Sequence, residues 1–234
     1  MHVFVSDAHI RTDSSERCRM LVKFLQEIRP NLTDLYILGD LFEIWFEYYL
    51  VFPKDYFRLL AVLYSILNEG KNIHYILGNH EIAIGNFLKN FGFIVHRGST
   101  VFDIDGRRVL LAHGNTIDKR LWTSIWESLL TSKLNHMLFR LVHPDLGISL
   151  AQCIARFSRI QSPSRRLDSM LENYASRMLH DVDIVMLAHS HNPVFRKMAR
   201  NKYYINTGDW VKHFSYATIE NGNVSLRYYG QPTL

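Results

Sequence analysis

Five short blocks hold the side chains that could do chemistry: Asp7-Ala8-His9, Gly39-Asp40, Gly78-Asn79-His80-Glu81, His113-Gly114 and His189-Ser190-His191. Asp7, His9, Asp40, Asn79, His113, His189 and His191 supply carboxylate, amide and imidazole donors. Such a mixed set suits Mn, Fe, Zn or Co better than Ca or Mg alone. In Asp-x-His and His-x-His, two donors fall on one side of an extended segment, because side chains alternate with period two. Gly39, Gly78 and Gly114 let the backbone turn tightly beside them. A lone histidine is more often a hydrogen-bonded structural residue, and a lone aspartate after a strand more often caps a turn. The pattern, rather than any one residue, carries the metal reading.

The elements that must position these donors are short runs of β-branched and aromatic residues. Strands are predicted over His2–Ser6, Asp34–Leu38, Ile73–Leu77, Val101–Ile104, Arg108–Ala112, Ile184–Ala188, Tyr203–Asn206, Tyr216–Ile219 and Val224–Tyr228. Five of these runs end directly in a donor block. The C-terminal ends of strands are where open α/β sheets bind their ligands. Asp105-Gly106 is a hairpin signal between two runs. Apolar residues at helical spacing predict helices over Ser15–Ile28 and Tyr56–Asn68. Strands alternating with helices suggest an α/β sheet with crossovers, and the closing runs suggest an antiparallel portion.

The chain is 47% hydrophobic, enough for a full core. It reads as a single domain over 1–234, with a nearly all-helical insertion over 118–180. Between Lys119 and Leu179 it carries nine Lys or Arg against four acids, a difference equal to the whole formal charge of +5. A basic excess of this kind suggests an anionic partner: nucleic acid, a lipid surface or a charged substrate. An ordinary solvated face is the plainer alternative. Cys18 and Cys153 have no metal-like spacing and read as packing residues in a reducing compartment. The opening MHVFVSD lacks a basic, apolar leader, and no apolar run reaches the length of a membrane span. The expected location is cytoplasmic, free or held against a membrane from outside.

In order and spacing, the five blocks resemble those of the calcineurin-like metallophosphoesterases. The resemblance covers the sheet portions of nearly the whole chain. It implies a two-sheet α/β/β/α sandwich holding two divalent ions, and hydrolysis of a phosphoester by in-line attack of water. Carried over, Asp7, His9 and His191 would hold one ion, Asn79, His113 and His189 the other, and Asp40 would bridge them. His80 would be the catalytic histidine, protonating the leaving oxygen or stabilising charge on the phosphoryl group. Glu81 would orient it.

Within that superfamily, Gly39-Asp40-Leu41-Phe42-Glu43-Ile44-Trp45 resembles the block of the UDP-2,3-diacylglucosamine pyrophosphatases, which also carry a helical lid after the His-Gly block. That likeness implies Mn as the metal, a lipid-linked nucleotide as the substrate, and a peripheral place on the cytoplasmic face of the inner membrane. The insertion suits such a substrate. Trp122, Trp126, Phe139 and Phe157 could line an acyl slot, while Arg156, Arg159, Arg165 and Arg166 could meet the diphosphate. Basic amphipathic helices also bind anionic membrane surfaces without spanning them. Aromatics at helical spacing can equally be packing residues. One departure is plain: His80 stands where those pyrophosphatases carry Arg. The block Asn206-Thr207-Gly208-Asp209-Trp210 likewise looks more like broader relatives. A phosphodiesterase, phosphatase or nuclease acting on another nucleotide is therefore the alternative. The insertion lacks the dense basic and aromatic stripe expected for a nucleic-acid groove, so nucleic acid ranks behind lipid. A binding scaffold with a vestigial site ranks last, since every expected ligand is present.

Overall fold

The computed structural model describes residues 1–48, 51, 53–83, 85–117, 137, 139, 141–150 and 165–230. Two mixed sheets stack face to face. The first has β1 (His2–Val5), β2 (Asp34–Ile37), β4 (Asn72–Ile76) and β6 (Ile94–His96) running parallel. It is closed on one side by antiparallel β12 (Ser215–Glu220) and β13 (Asn223–Tyr228). The second has β8 (Arg107–Leu111), β9 (Ile184–Leu187) and β11 (Lys202–Asn206) parallel at its centre. Its edges are antiparallel β7 (Thr100–Ile104) and β10 (Val194–Ala199). A small parallel pair, β3 (Trp45–Phe46) with β5 (Glu81–Ala83), stands apart from both.

The period-two pattern assigns every central strand two apolar faces. Phe4, Tyr36, Ile76, Val109, Leu111, Ile184, Met186 and Ile205 pack between the sheets. Val3, Val5, Leu35, Ile37, Ile73 and Tyr75 face outward against α1 (Glu16–Ile28) and α2 (Phe57–Leu67). Leu110, Ala112, Val185, Leu187 and Tyr204 face the other way, against α4 (Arg165–Met178). A short helix, α3 (Phe87–Phe91), precedes β6. The layers are therefore helix, sheet, sheet, helix, as the α/β sandwich requires. Strands buried on both faces read as continuous apolar runs rather than as alternation.

The helices follow from their sequences. Ser15 caps α1, its hydroxyl accepting from the Cys18 amide at 3.3 Å, and Cys18, Leu21, Val22, Phe24 and Leu25 form the buried stripe. Pro30 then turns the chain into a single 3-10 turn. Each fully buried Leu or Phe contributes about 1.5–3 kcal/mol. The expected hairpin is present, with Asp105 and Gly106 both at positive φ (48° and 73°), as a two-residue turn between right-twisted strands demands.

Of the expected insertion, the stretch 144–150 and α4 are helical. α4 buries Leu167, Leu171 and Ala175 on the second sheet, so this part of 118–180 forms the outer layer of the sandwich. Phe139 reaches back to β3, 4.5 Å from the Phe46 ring centroid. Cys18 is buried and free, while Cys153 lies outside the described residues.

Candidate metal centre

The C-terminal ends of β1, β2 and β4 lie side by side in the first sheet, and those of β8 and β9 in the second. All five donor blocks leave the sandwich at this one edge. The backbone there is strained: Asp7, His9, Asp40, His189 and His191 have φ of 48°, 44°, 52°, 69° and 58°. The left-handed region costs an L-residue roughly 1–2 kcal/mol. Strain gathered at donor residues marks a site that the surrounding packing holds in place. Gly39, itself at φ 82°, and Gly78 admit the close approach: a Cβ on Gly39 would sit 2.7 Å from His113 Nδ1, and one on Gly78 2.2 Å from Asp40 Oδ1.

The donors form two lobes that share Asp40. In one, Asp7 Oδ1 lies 3.4 Å from His191 Nε2 and 3.7 Å from His9 Nε2, and the two imidazole nitrogens are 3.3 Å apart. In the other, His113 Nε2 lies 3.2 Å from both Asn79 Oδ1 and His189 Nδ1. Asp40 Oδ2 stands between them, 3.3 Å from His113 Nε2, 3.9 Å from His9 Nε2 and 3.8 Å from His80 Nε2.

Each carboxylate has one oxygen tied down and one turned to the cluster. Asp7 Oδ2 accepts from the His189 amide at 3.1 Å, and Asp40 Oδ1 from the His80 amide at 2.9 Å. Asp7 Oδ1, buried, has no hydrogen-bond partner of good geometry among the described residues. His113 Nδ1 donates to the Leu38 carbonyl at 2.7 Å, so Nε2 is the ring nitrogen that faces the cluster.

These residues fit a pair of divalent ions. Two donors about 2.1 Å from a common ion at tetrahedral or octahedral angles lie about 3.0–3.4 Å apart. The nitrogens and oxygens here hold that spacing, with imidazole nitrogens paired against each other in both lobes. The charges agree. Burial works against ionising Asp7, but His191, His9 and His113 outweigh it and hold the carboxyl below its usual range. Asp40 is held well below the usual range in the same way: burial opposes, and His113, His80 and His9 prevail. Burial also opposes charge on His113, yet the Asp40 and Asp7 carboxylates pull it up to about 10.

His80 is buried, with Nδ1 2.6 Å from the Glu43 carbonyl. A carbonyl only accepts, so Nδ1 carries the proton and Nε2 points toward Asp40. Glu81 was expected to orient His80, and here the geometry differs. Its Oε2 accepts from the amides of Asp40 (3.1 Å) and Gly78 (2.7 Å), and its Oε1 from the Tyr75 hydroxyl (2.7 Å). Glu81 thus braces the Asp40 turn, and a backbone carbonyl orients His80. Burial, then the nearby Asp40 charge, pushes the Glu81 carboxyl up to about 7.

Three supports have no counterpart among the sequence-derived site residues. Asp209 lies 3.4 Å behind His191 Nδ1. Asn206 Nδ2 donates to the Ala188 carbonyl and Ser190 Oγ at 3.0 and 3.1 Å, fixing the loop that bears His189 and His191. The Trp210 amide donates to the Asp7 carbonyl at 3.2 Å. All three belong to the Asn206–Trp210 block, whose polar residues directly after a strand are the signal. Of the expected substrate-binding residues, Arg165 and Arg166 are exposed in the first turn of α4, a helix that contacts the 115–117 turn following His113. Trp122, Trp126, Arg156 and Arg159 lie outside the described residues, as does Phe157.

Paired donor lobes at the strand ends of a two-sheet sandwich define a phosphoesterase class, and residues 3–193 match the family model "Calcineurin-like phosphoesterase". The chain belongs to that family. It is 28% identical to a UDP-2,3-diacylglucosamine hydrolase of Porphyromonas gingivalis, over 95% of each chain. It is 26% identical to the Salmonella newport protein of the same name, over 96% of this chain and 97% of the other. The Aeromonas salmonicida protein of that name is 34% identical over 49% of this chain and 45% of its own.

Proposed function

We propose that this hydrolase uses two divalent ions, Mn foremost, to cleave the pyrophosphate of a UDP-2,3-diacylglucosamine-like lipid, releasing UMP and a lipid 1-phosphate. The single observation that carries the reading is the two-lobed donor cluster closed by Asp40, in a chain alike over nearly its full length to hydrolases named for that substrate. Asp7, His9, His191 and Asp40 would hold one ion, and Asn79, His113, His189 and Asp40 the other. When bound, the ions supply an activated water nucleophile and neutralise the charge that develops on the phosphoryl oxygens. The chain's own part is to place the phosphate. Asp40 fixes the spacing of the lobes, and Asn79 adds a neutral donor beside them. His80, aimed by the Glu43 carbonyl, meets the leaving or transferring oxygen with its Nε2.

The lipid part of the reading draws on the far side of the Asp40 block. Phe46, Tyr48 and Phe139 form an aromatic cluster, with ring centroids 4.5–6.3 Å apart. Beyond it Met137, Leu141, Leu146 and Leu150 are exposed. Apolar side chains held in water beside a basic segment suit acyl chains and an anionic membrane surface. Among the described residues no helix is long and apolar enough to cross a membrane, so contact would be peripheral, on the cytoplasmic face of the inner membrane. Residues 118–180 would include the lid, with Trp122, Trp126, Arg156, Arg159, Arg165 and Arg166 as substrate contacts.

Product analysis tests this. Mn-loaded protein given the lipid nucleotide in detergent should release UMP, and absence of UMP would reject the substrate. His80, in place of the Arg expected of those pyrophosphatases, favours one second reading: a phosphodiesterase acting on a different nucleotide. Cleavage of oligonucleotides with turnover would support it.

A further inference from the structure

We infer that Asp209 is the positioning residue that holds His191 with its Nε2 lone pair toward the first lobe of the metal centre. The inference rests on the metal reading of that lobe. Asp209 is buried in the turn after β11. Its Oδ1 accepts three backbone amides, from Val211, Lys212 and His213, at 3.0, 2.8 and 2.9 Å. Those bonds fix the plane of the carboxylate and commit one oxygen. The other, Oδ2, lies 3.4 Å from Nδ1 of His191 and 3.4 Å from Nδ1 of His213.

A carboxylate has no proton to give, so it favours the His191 tautomer protonated at Nδ1. That tautomer leaves the lone pair on Nε2, the atom 3.4 Å from Asp7 Oδ1 and 3.3 Å from His9 Nε2. The same turn holds the neighbouring ligand: Ser215 closes it through the Asp209 carbonyl (3.0 Å), and the Trp210 amide grips the Asp7 carbonyl (3.2 Å). One turn therefore sets two of the three outer donors of the lobe. A carboxylate behind a ligating histidine fixes its tautomer and orientation, and removing such a partner typically weakens metal binding by about 10–100-fold.

The test is Asp209→Asn, read by Mn calorimetry and metal analysis. The amide oxygen of Asn can still accept the three backbone amides, so the turn is kept. Its NH2 group then faces His191 Nδ1 and favours the opposite tautomer. The expected result is a metal-free melting temperature near wild type, with one of two Mn sites weakened about 10–100-fold. His213→Ala removes the other imidazole and keeps the carboxylate, so both affinities should stay at the wild-type value. Equal weakening in that variant would assign the effect to the turn and overturn the inference. So would D209N protein that binds both ions as wild type does. Should D209N not fold, nitrogen NMR of wild type loaded with a diamagnetic ion decides independently: His191 protonated on Nδ1 supports the inference, and protonation on Nε2 overturns it. Wild type that binds no divalent ion would sink the metal reading itself. Wild type that binds two ions but leaves the lipid nucleotide intact would reject only the substrate.

Discussion

Asp40 is where the two halves of the centre meet. Its Oδ2 faces imidazoles from both lobes, while its Oδ1 is held by the His80 amide and its own amide by Glu81. Removing that carboxylate leaves His113, His9 and His80 without the group that faces all three. His80 makes a different prediction. It contributes proton transfer or charge stabilisation rather than the ligand set, so His80→Ala should lower kcat by about 10²–10⁴-fold and leave Mn stoichiometry at the wild-type value. Single-turnover kinetics beside metal analysis checks this; equal loss of metal would move His80 into the ligand set. The candidate donors were legible in the sequence because each block follows an apolar strand run directly. Their supports were not, because they act at a distance in the chain. The Glu43 carbonyl that aims His80 is backbone, invisible to residue type, whereas the family resemblance had assigned that task to Glu81.

At the scale of elements, the turns after the strands carry both the strain and the specificity. Gly39→Ala places a Cβ at φ 82°, 2.7 Å from the Gly78 amide, so it should destabilise the fold by about 1–3 kcal/mol, measurable by denaturant unfolding. Neutral tolerance would mean the β2 turn is looser than drawn. On α4, Leu171 is fully buried between the second sheet and Gly114, and Leu171→Ala should cost about 2–5 kcal/mol. At the opposite end of β1 and β2, the bond to His2 and that to Asn72 hold Asp34 below its usual range against burial. A depressed carboxylate pKa stabilises the fold above the unfolded value and loses that contribution as pH falls through the folded value. Asp34→Asn should thus lower the melting temperature at pH 7 and much less near pH 2, as a thermal scan across pH would reveal. Nine strands were legible in the sequence, the central ones because strands buried on both faces are apolar throughout, and the edge strands β7 and β13 by their β-branched and aromatic residues. It missed β3, β5, β6 and α3, which are two to five residues long, too short for a period to register. It missed β10 because Phe195, Arg196 and Lys197 are exposed on a sheet edge.

For the whole molecule, the sandwich is a device for bringing two parallel strand sets to one edge. β1, β2 and β4 deliver one group of donors, β8 and β9 the other, and the His113–Leu38 and His189–Asp7 bonds lock the sheets together across the cluster. The proposed lipid reaction then depends on what lies beside that edge. Activity on the lipid nucleotide should need detergent or vesicles, and should fall when Phe46 and Phe139 are both changed to Ala with metal content unchanged. A variant as active as wild type would remove the aromatic cluster from the acyl path. The central claim, two ions bridged by one aspartate, has a more direct test. Metal analysis and phosphoester hydrolysis can be compared in wild type and Asp40→Ala, each loaded with Mn and passed through a desalting column. The account predicts two ions per chain and turnover in wild type, and neither in the variant. An Asp40→Ala protein that keeps both ions and full activity would contradict it.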